Sequence, residues 1–267
     1  MVTALITGAT SGIGAEFARG YARRGYDLVI VARNAERLAS SAKEFGALGS
    51  PRVEVISADL SSRLDVAALA ERIEDPSRPI DILVNNAGFG MHVKLLTRDI
   101  ETIDRAFDVM CRAVFVLAGA AARGMKARGS GQIINVASTA GFMTMGAYSS
   151  IKAWVTSYTE GLSNELRGTG VTTLALCPGW IRTEFHQRAG INPSSIPDAM
   201  WVDGTKTVET AIKASERGRV VITPSIRYTV LIWIVRHLPR VTVRWVSRKI
   251  SSSRNESPVE TAEAGAH

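Results

Sequence analysis

Cysteine is scarce in this chain of 267 residues: Cys111 and Cys177 are the only two, both lie inside apolar segments, and neither stands at metal-ligand spacing. That excludes a disulfide framework and a cysteine-based zinc site, and predicts two small buried residues. The N-terminal stretch MVTALITGAT lacks the basic segment, long apolar run and cleavage site of a secretory signal. A cytoplasmic location is therefore the expectation. Acid is missing from one region altogether. Between Arg217 and Arg254 there are nine Lys or Arg and no Asp or Glu, so this region more than accounts for the formal net charge of +7. Charge alone does not make a nucleic-acid binder, and no recognisable reading module accompanies it, so no nucleic-acid partner is expected. Within the basic region, YTVLIWIVRHLPRVTVRWVSRK mixes large apolar residues with arginine, but its apolar runs fall far short of the ~20 residues that span a bilayer. Two readings stay open for it: a core-packed helix with arginines in solvent, and peripheral contact with an anionic membrane surface.

What is present is a 46% hydrophobic chain with recurrent short apolar runs. Strands are predicted at 2–7, 26–32, 52–57, 80–84, 131–138, 171–177 and 219–223, alternating with helical patterns. Near-continuous apolar strands suit burial on both faces. The fold class expected is α/β: a Rossmann-type, doubly wound, seven-stranded parallel sheet with helices on both faces, in one domain. Residues 1–250 form that domain, with a substrate lid over 183–218 and a basic apolar segment over 226–250. Residues 251–267 read as a disordered tail. In the lid, Asp203 is expected to cap a helix from about Thr205 to Arg217. A long helix is predicted from Ile100 to Arg128, where Ile103, Phe107, Met110, Val114, Leu117 and Ala121 form one apolar stripe.

Directly after the first strand comes TGATSGIG, residues 7–14. Gly8, Gly12 and Gly14 allow a tight turn and close backbone approach, and Thr10, Ser11 and Ile13 lead into a helix whose free amides suit a pyrophosphate. A dinucleotide site is expected there rather than a bare turn. At the end of the second strand, where an NAD site places an acid, the chain has Ala32 followed by Arg33 and Asn34. A guanidinium at Arg33 matches a 2′-phosphate, so NADP(H) is the cofactor expected. In AYSSIKAW, residues 147–154, Tyr148 and Lys152 share one helix face. Taken alone, such a pair fits a solvated surface at least as well as a reactive one.

Four signatures in order, TGATSGIG at 7–14, NNAG at 85–88, Ser138 with YSSIK at 148–152, and PGWIRT at 178–183, resemble the short-chain dehydrogenase/reductase family across most of the chain. The resemblance implies hydride exchange between a nicotinamide and a carbonyl or secondary alcohol. Tyr148 would be the general acid/base, Lys152 the cation that lowers its pKa and holds the nicotinamide ribose, and Ser138 the group that orients the reacting oxygen. It also implies that Asp59 and Leu60 contact adenine. Asn86, Ala87 and Gly88 border the adenosine ribose, and Pro178, Gly179, Ile181 and Thr183 fix the carboxamide and phosphate side. Asn85 and Asn86 equally suit buried backbone pairing. A homodimer or homotetramer through the long helices is implied as well, with Trp154, Tyr158, Leu162 and Leu166 in an apolar stripe.

Two departures stand out. Met110 occupies the position where the family usually has an asparagine on a water-linked proton path to the lysine, and a thioether cannot replace an amide. Water then reaches Lys152 by another route, or proton exchange is slow, or catalysis is weak. Only nine residues separate Ser138 from Tyr148, about three fewer than the family pattern, which implies a tighter loop. Phe89, Met91, Phe142, Met143, Met145 and Trp180 follow strands and favour an apolar carbonyl or alcohol, although core packing explains them equally well. The competing functional reading is a noncatalytic NADP-binding or membrane-associated regulator.

Overall fold

The computed structural model describes residues 1–91, 93, 95–182 and 197–252. Its strands are β1 Thr3–Thr7, β2 Asp27–Ala32, β3 Val53–Ser57, β4 Ile82–Asn85, β5 Gly131–Val136, β6 Val171–Leu176, β7 Trp180–Ile181, β8 Trp201–Val202 and β9 Val221–Ile222. Seven of them make one sheet in the order β3-β2-β1-β4-β5-β6-β9, and every neighbouring pair is parallel. β7 and β8 pair separately, Trp180 opposite Trp201. The helices are α1 Gly12–Ala22, α2 Ala35–Ala47, α3 Arg63–Glu74, α4 Ile100–Phe107, α5 Ala113–Arg128, α6 Ala147–Glu165, α7 Gly204–Glu216, α8 Ile226–His237 and α9 Arg240–Ser252.

The apolar runs make this sheet because successive side chains leave a strand on opposite faces, and both faces are covered. On one face Leu5, Leu83 and Ile133 pack with Leu69, Leu117, Met125 and Ile151 from α3, α5 and α6. On the other, Ile6, Val84 and Ile134 pack with Phe17, Leu38, Val208 and Ile212 from α1, α2 and α7. Each such fully buried side chain contributes about 1.5–3 kcal/mol. The sheet order reverses between β1 and β4, which opens a crevice beyond their carboxyl ends, the place where ligands bind in folds of this kind.

The expected strands all form, most with trimmed ends, while β4 is displaced to Ile82–Asn85. The helix expected over 100–128 is continuous in direction but not in pitch. Asp99 caps α4 by accepting from the Thr102 amide at 3.0 Å, and Gly129, at φ 73°, ends α5. Between α4 and α5, Asp108–Arg112 makes a π turn that contains Met110. The expected lid divides. Residues 183–196, including Thr183, lie outside the described residues. α7 begins at its Asp203 cap, which accepts from the Lys206 amide at 2.7 Å, and inserts Val208, Ala211 and Ile212 into the sheet core. The basic apolar segment forms α8 and α9. Of the expected tail, Ser251 and Ser252 end α9, and 253–267 lie outside the described residues.

Candidate active site

The glycine turn fills the crevice between β1 and β4. Gly8 and Gly12 take φ values of 67° and 56°, a region side chains disfavour, and a Cβ at Gly14 would collide with the Gly8 carbonyl and the Asn86 amide. Ser11 stands at the N-cap of α1, yet its side chain makes no capping bond, so the first amides of that helix are left to other partners. In contrast, Asn34 and Ser62 cap α2 and α3 with their own side chains. Thr10 and Ile13 flank the turn, and Ile13 leans on the core.

Asn86 ties the end of β4 to this turn. Its side-chain nitrogen donates to the Thr7 and Gly8 carbonyls at 2.9 and 3.3 Å, while the amides of Asn86 and Ala87 donate to the Thr7 hydroxyl at 2.9 and 3.1 Å. Its side chain thus positions the loop. Asn85 likewise serves the framework, donating to Asn135 at 3.0 Å, which donates to Thr159 at 3.0 Å, a buried polar chain linking β4, β5 and α6. Gly88 is open to solvent above Met110, whose sulfur would lie 3.1 Å from a Cβ at that glycine.

On the far side of β1, Arg33 is exposed at the end of β2, and Asn34 spends its side-chain oxygen on the Arg37 amide at 2.7 Å. Arg37 reaches the glycine turn, donating to the Thr10 carbonyl at 3.4 Å. Asp59 follows β3. Burial alone would raise its pKa, but hydrogen bonds from Ser61 and the nearby charges of Arg105 and Arg33 outweigh burial and lower it. Leu60 beside it is buried.

Beyond β5 lies a cluster of hydroxyls. Ser138, in extended backbone, caps a short 3-10 turn, Thr139–Phe142, by accepting from the Ala140 amide at 3.1 Å, and its hydroxyl is hydrogen-bonded to Tyr148. The short loop closes because Gly141 lies against α6: a Cβ there would stand 2.8 Å from the Ala153 nitrogen. Gly146, at φ 86°, then turns the chain into α6, whose first turn carries Tyr148. One turn on, Lys152 is 5% exposed and donates to the Val136 carbonyl at 2.8 Å, with its nitrogen 5.8 Å from the centre of the Tyr148 ring. Burial lowers the lysine to a pKa of about 8, opposed by the neighbouring thiols of Cys111 and Cys177. Burial also raises the Tyr148 phenol above its ordinary value, opposed by the bond to Ser138.

Pro178 and Gly179 complete the rim. The Pro178 carbonyl accepts from the Thr139 amide and hydroxyl, each at 3.1 Å. Gly179 can only be glycine because the Tyr228 ring of α8 occupies the space of a Cβ. That phenol accepts from the Trp180 amide at 3.3 Å and donates to the Met200 carbonyl at 2.8 Å, while Ile181 is buried. Of the apolar residues expected at the site, Phe89 and Met91 lean on the core beneath the sheet and Phe142 packs near Val155 and Cys177. Asn135, Gly141, Tyr228 and Ser247, whose hydroxyl accepts from the Thr144 amide at 3.1 Å, are positioning residues that sequence reasoning missed. Only Asn135 left a signal, as a polar residue inside an apolar run.

A glycine turn at the switch point of a doubly wound parallel sheet, with Ser138, Tyr148 and a buried lysine following the neighbouring β5, defines a Rossmann-type fold. The chain belongs to the short-chain dehydrogenase/reductase family: the family model described as short chain dehydrogenase matches residues 2–193. An uncharacterised oxidoreductase of Staphylococcus saprophyticus is 34% identical over 205 residues, 73% of this chain and 88% of that one. Among solved structures, a short-chain dehydrogenase from Sphingobium yanoikuyae in complex with NADPH is 33% identical, covers 99% of both chains and gives a TM-score of 0.79. A bulky-bulky ketone specific alcohol dehydrogenase from Comamonas testosteroni is 30% identical over 99% of this chain and 97% of its own, with a TM-score of 0.76.

Proposed function

We propose that the protein is an NADP(H)-dependent oxidoreductase that interconverts an apolar ketone or aldehyde and its alcohol, with Ser138, Tyr148 and Lys152 as its catalytic residues. The observation that carries this reading is the hydroxyl contact between Ser138 and Tyr148 one turn from a buried lysine. The chain fits the cofactor. Gly8, Gly12 and Gly14 leave the backbone bare, Ser11 leaves the α1 amides for a pyrophosphate, and Arg33 offers a guanidinium where an acid would repel a 2′-phosphate. Asp59, Leu60, Asn86, Ala87, Gly88, Pro178, Gly179, Ile181 and Thr183 complete the cofactor set, with Asn34 as cap of the neighbouring helix. The NADPH complex of the Sphingobium relative supports the same choice.

A bound nicotinamide supplies or accepts the hydride. Ser138 holds the reacting oxygen by a hydrogen bond, and Tyr148 gives that oxygen a proton in reduction or removes one in oxidation. Because burial raises the phenol, Tyr148 is protonated at neutral pH, the form that reduction requires. Lys152, mostly protonated below its pKa of about 8, holds a second proton one turn away. Trp180 and the methionines of the 139–146 loop favour an apolar substrate, in keeping with the bulky ketones named for the Comamonas relative. Exposed Phe115 on α5 beside Tyr158 of α6, ring centres 5.5 Å apart, supports pairing of subunits through these helices.

The test is oxidation of NADPH and of NADH by a panel of apolar ketones, in wild type and Arg33→Asp. Wild type should prefer NADPH, and the substitution should cut that preference about tenfold or more, the loss of a charge-assisted bond. No turnover with any carbonyl, or a wild-type preference for NADH, contradicts the reading.

A further inference from the structure

Among the described residues, eight of the seventeen large apolar side chains that stand exposed fall between Ile226 and Trp245, seven in α8 and α9 and Leu238 in the link between them. α8 carries apolar side chains on its outward as well as its inward side, beside Arg227, Thr229, Arg236 and His237. Tyr228 and Ile232 face inward, while Ile226, Val230, Leu231, Trp233 and Ile234 face out, with Trp233 62% exposed. A helix that leaves large apolar side chains outward beside basic ones is suited to the plane of a membrane surface. α9 follows directly after Pro239. It turns Val243 and Ser247 inward and exposes Val241 and Trp245 alongside Arg244 and Arg248. Arg227 lies exposed on α8, and no acidic residue occurs from Arg217 to Arg254.

We infer that α8 and α9 form a docking face for an anionic lipid surface, into which Trp233, Trp245 and their aliphatic neighbours insert while Arg227, Arg244 and Arg248 meet lipid phosphates. Charge complementarity selects this occupant over a second copy of the chain. Two copies meeting through the face would bring their arginines together with no acid in the segment to neutralise them, whereas an anionic leaflet supplies the missing charge. Tryptophan and arginine beside aliphatic side chains is the composition of helices that lie in the interface plane. No described helix is long and apolar enough to cross a membrane, which agrees with a face that rests on lipid. The same helices hold the rim of the crevice, α8 through Tyr228 against Gly179 and α9 through Ser247 under Thr144. Docking therefore sets the active-site entrance near the lipid.

The test uses the full-length protein, without substrate, sedimented with phosphatidylcholine vesicles and with phosphatidylcholine vesicles containing phosphatidylglycerol. The protein should pellet with the second and not the first, less so as salt rises. Each basic side chain near an anionic surface raises partitioning about fivefold, so Arg244→Ser with Arg248→Ser should lower it roughly 25-fold. Trp233→Ser with Trp245→Ser should lower it by about tenfold or more, with the melting temperature kept. Full recovery in the supernatant with both vesicles overturns the proposal. So does binding that neither double variant weakens, or a dimer in sedimentation velocity that the tryptophan variant disperses, which would assign the face to a second copy. Because no turnover is measured, failure here leaves the catalytic assignment standing, and the reverse.

Discussion

Replacing Lys152 with methionine isolates the cost of a buried ammonium. In the native protein without nucleotide, burial brings its pKa from the ordinary 10.5 to about 8. That difference corresponds to about 3 kcal/mol by which the charged form is disfavoured in the folded state. The bond from Nζ to the Val136 carbonyl offsets part of this, and methionine leaves that carbonyl without its donor, an opposing cost of about 1–3 kcal/mol. The opposing cost does not change with pH, so the pH dependence is the clean signal. Below about pH 8 the lysine is charged in both states and the full burial cost applies. Between about pH 8 and 10.5 the unfolded chain keeps a proton that the folded chain has lost, so stability rises with pH. Urea unfolding of wild type and Lys152→Met at about pH 7 and about pH 9.5 should show the wild type gaining roughly 2 kcal/mol on the variant at the higher pH. Cys111 and Cys177, both raised by burial to about 11, titrate in both proteins and cancel to first order. A stability difference that stays flat between the two pH values would refute the reasoning.

Gly141→Ala should lower stability by about 1–3 kcal/mol and slow turnover, because the new methyl meets the Lys152–Ala153 backbone at 2.8 Å and the Ser138 loop must lift from α6. An unchanged melting curve would contradict that. Met110→Asn places an amide at a site that is 1% exposed and packed toward Gly88, and should cost about 1–3 kcal/mol in a denaturant melt. A neutral or stabilised variant would show instead that the π turn already holds partners for an amide.

The layers of the molecule were readable because the physics that makes them is local. Strands such as LVIVA are apolar throughout, and IINVA is so but for Asn135, since both sheet faces are covered, and the glycines of residues 8–14 mark a turn that nothing bulkier can make. The pairing of Tyr148 with Lys152 followed from helical periodicity once Ser138 and the NNAG segment accompanied it. What stayed hidden depends on distant neighbours. The π turn at 108–112 leaves the apolar stripe of the helix intact, so nothing in the spacing announces it. The bar to a side chain at Gly179 is set by Tyr228, 49 residues later in the chain. The phenol's raised pKa is likewise a property of burial. The motif implied a lysine acting on a tyrosine, and the folded geometry adds a bond from that lysine to the Val136 carbonyl, which no spacing announces. The C-terminal segment was legible as apolar and basic, but which of its side chains face outward depends on how α8 and α9 pack.

The most direct measurement of the central claim is single-turnover oxidation of enzyme-bound NADPH by a bulky apolar ketone, in wild type and Tyr148→Phe. Loss of the phenol that Ser138 holds should slow the step by about a hundredfold or more while NADPH binding is retained. An undiminished rate in the phenylalanine variant would contradict proton transfer by Tyr148 and the function built on it.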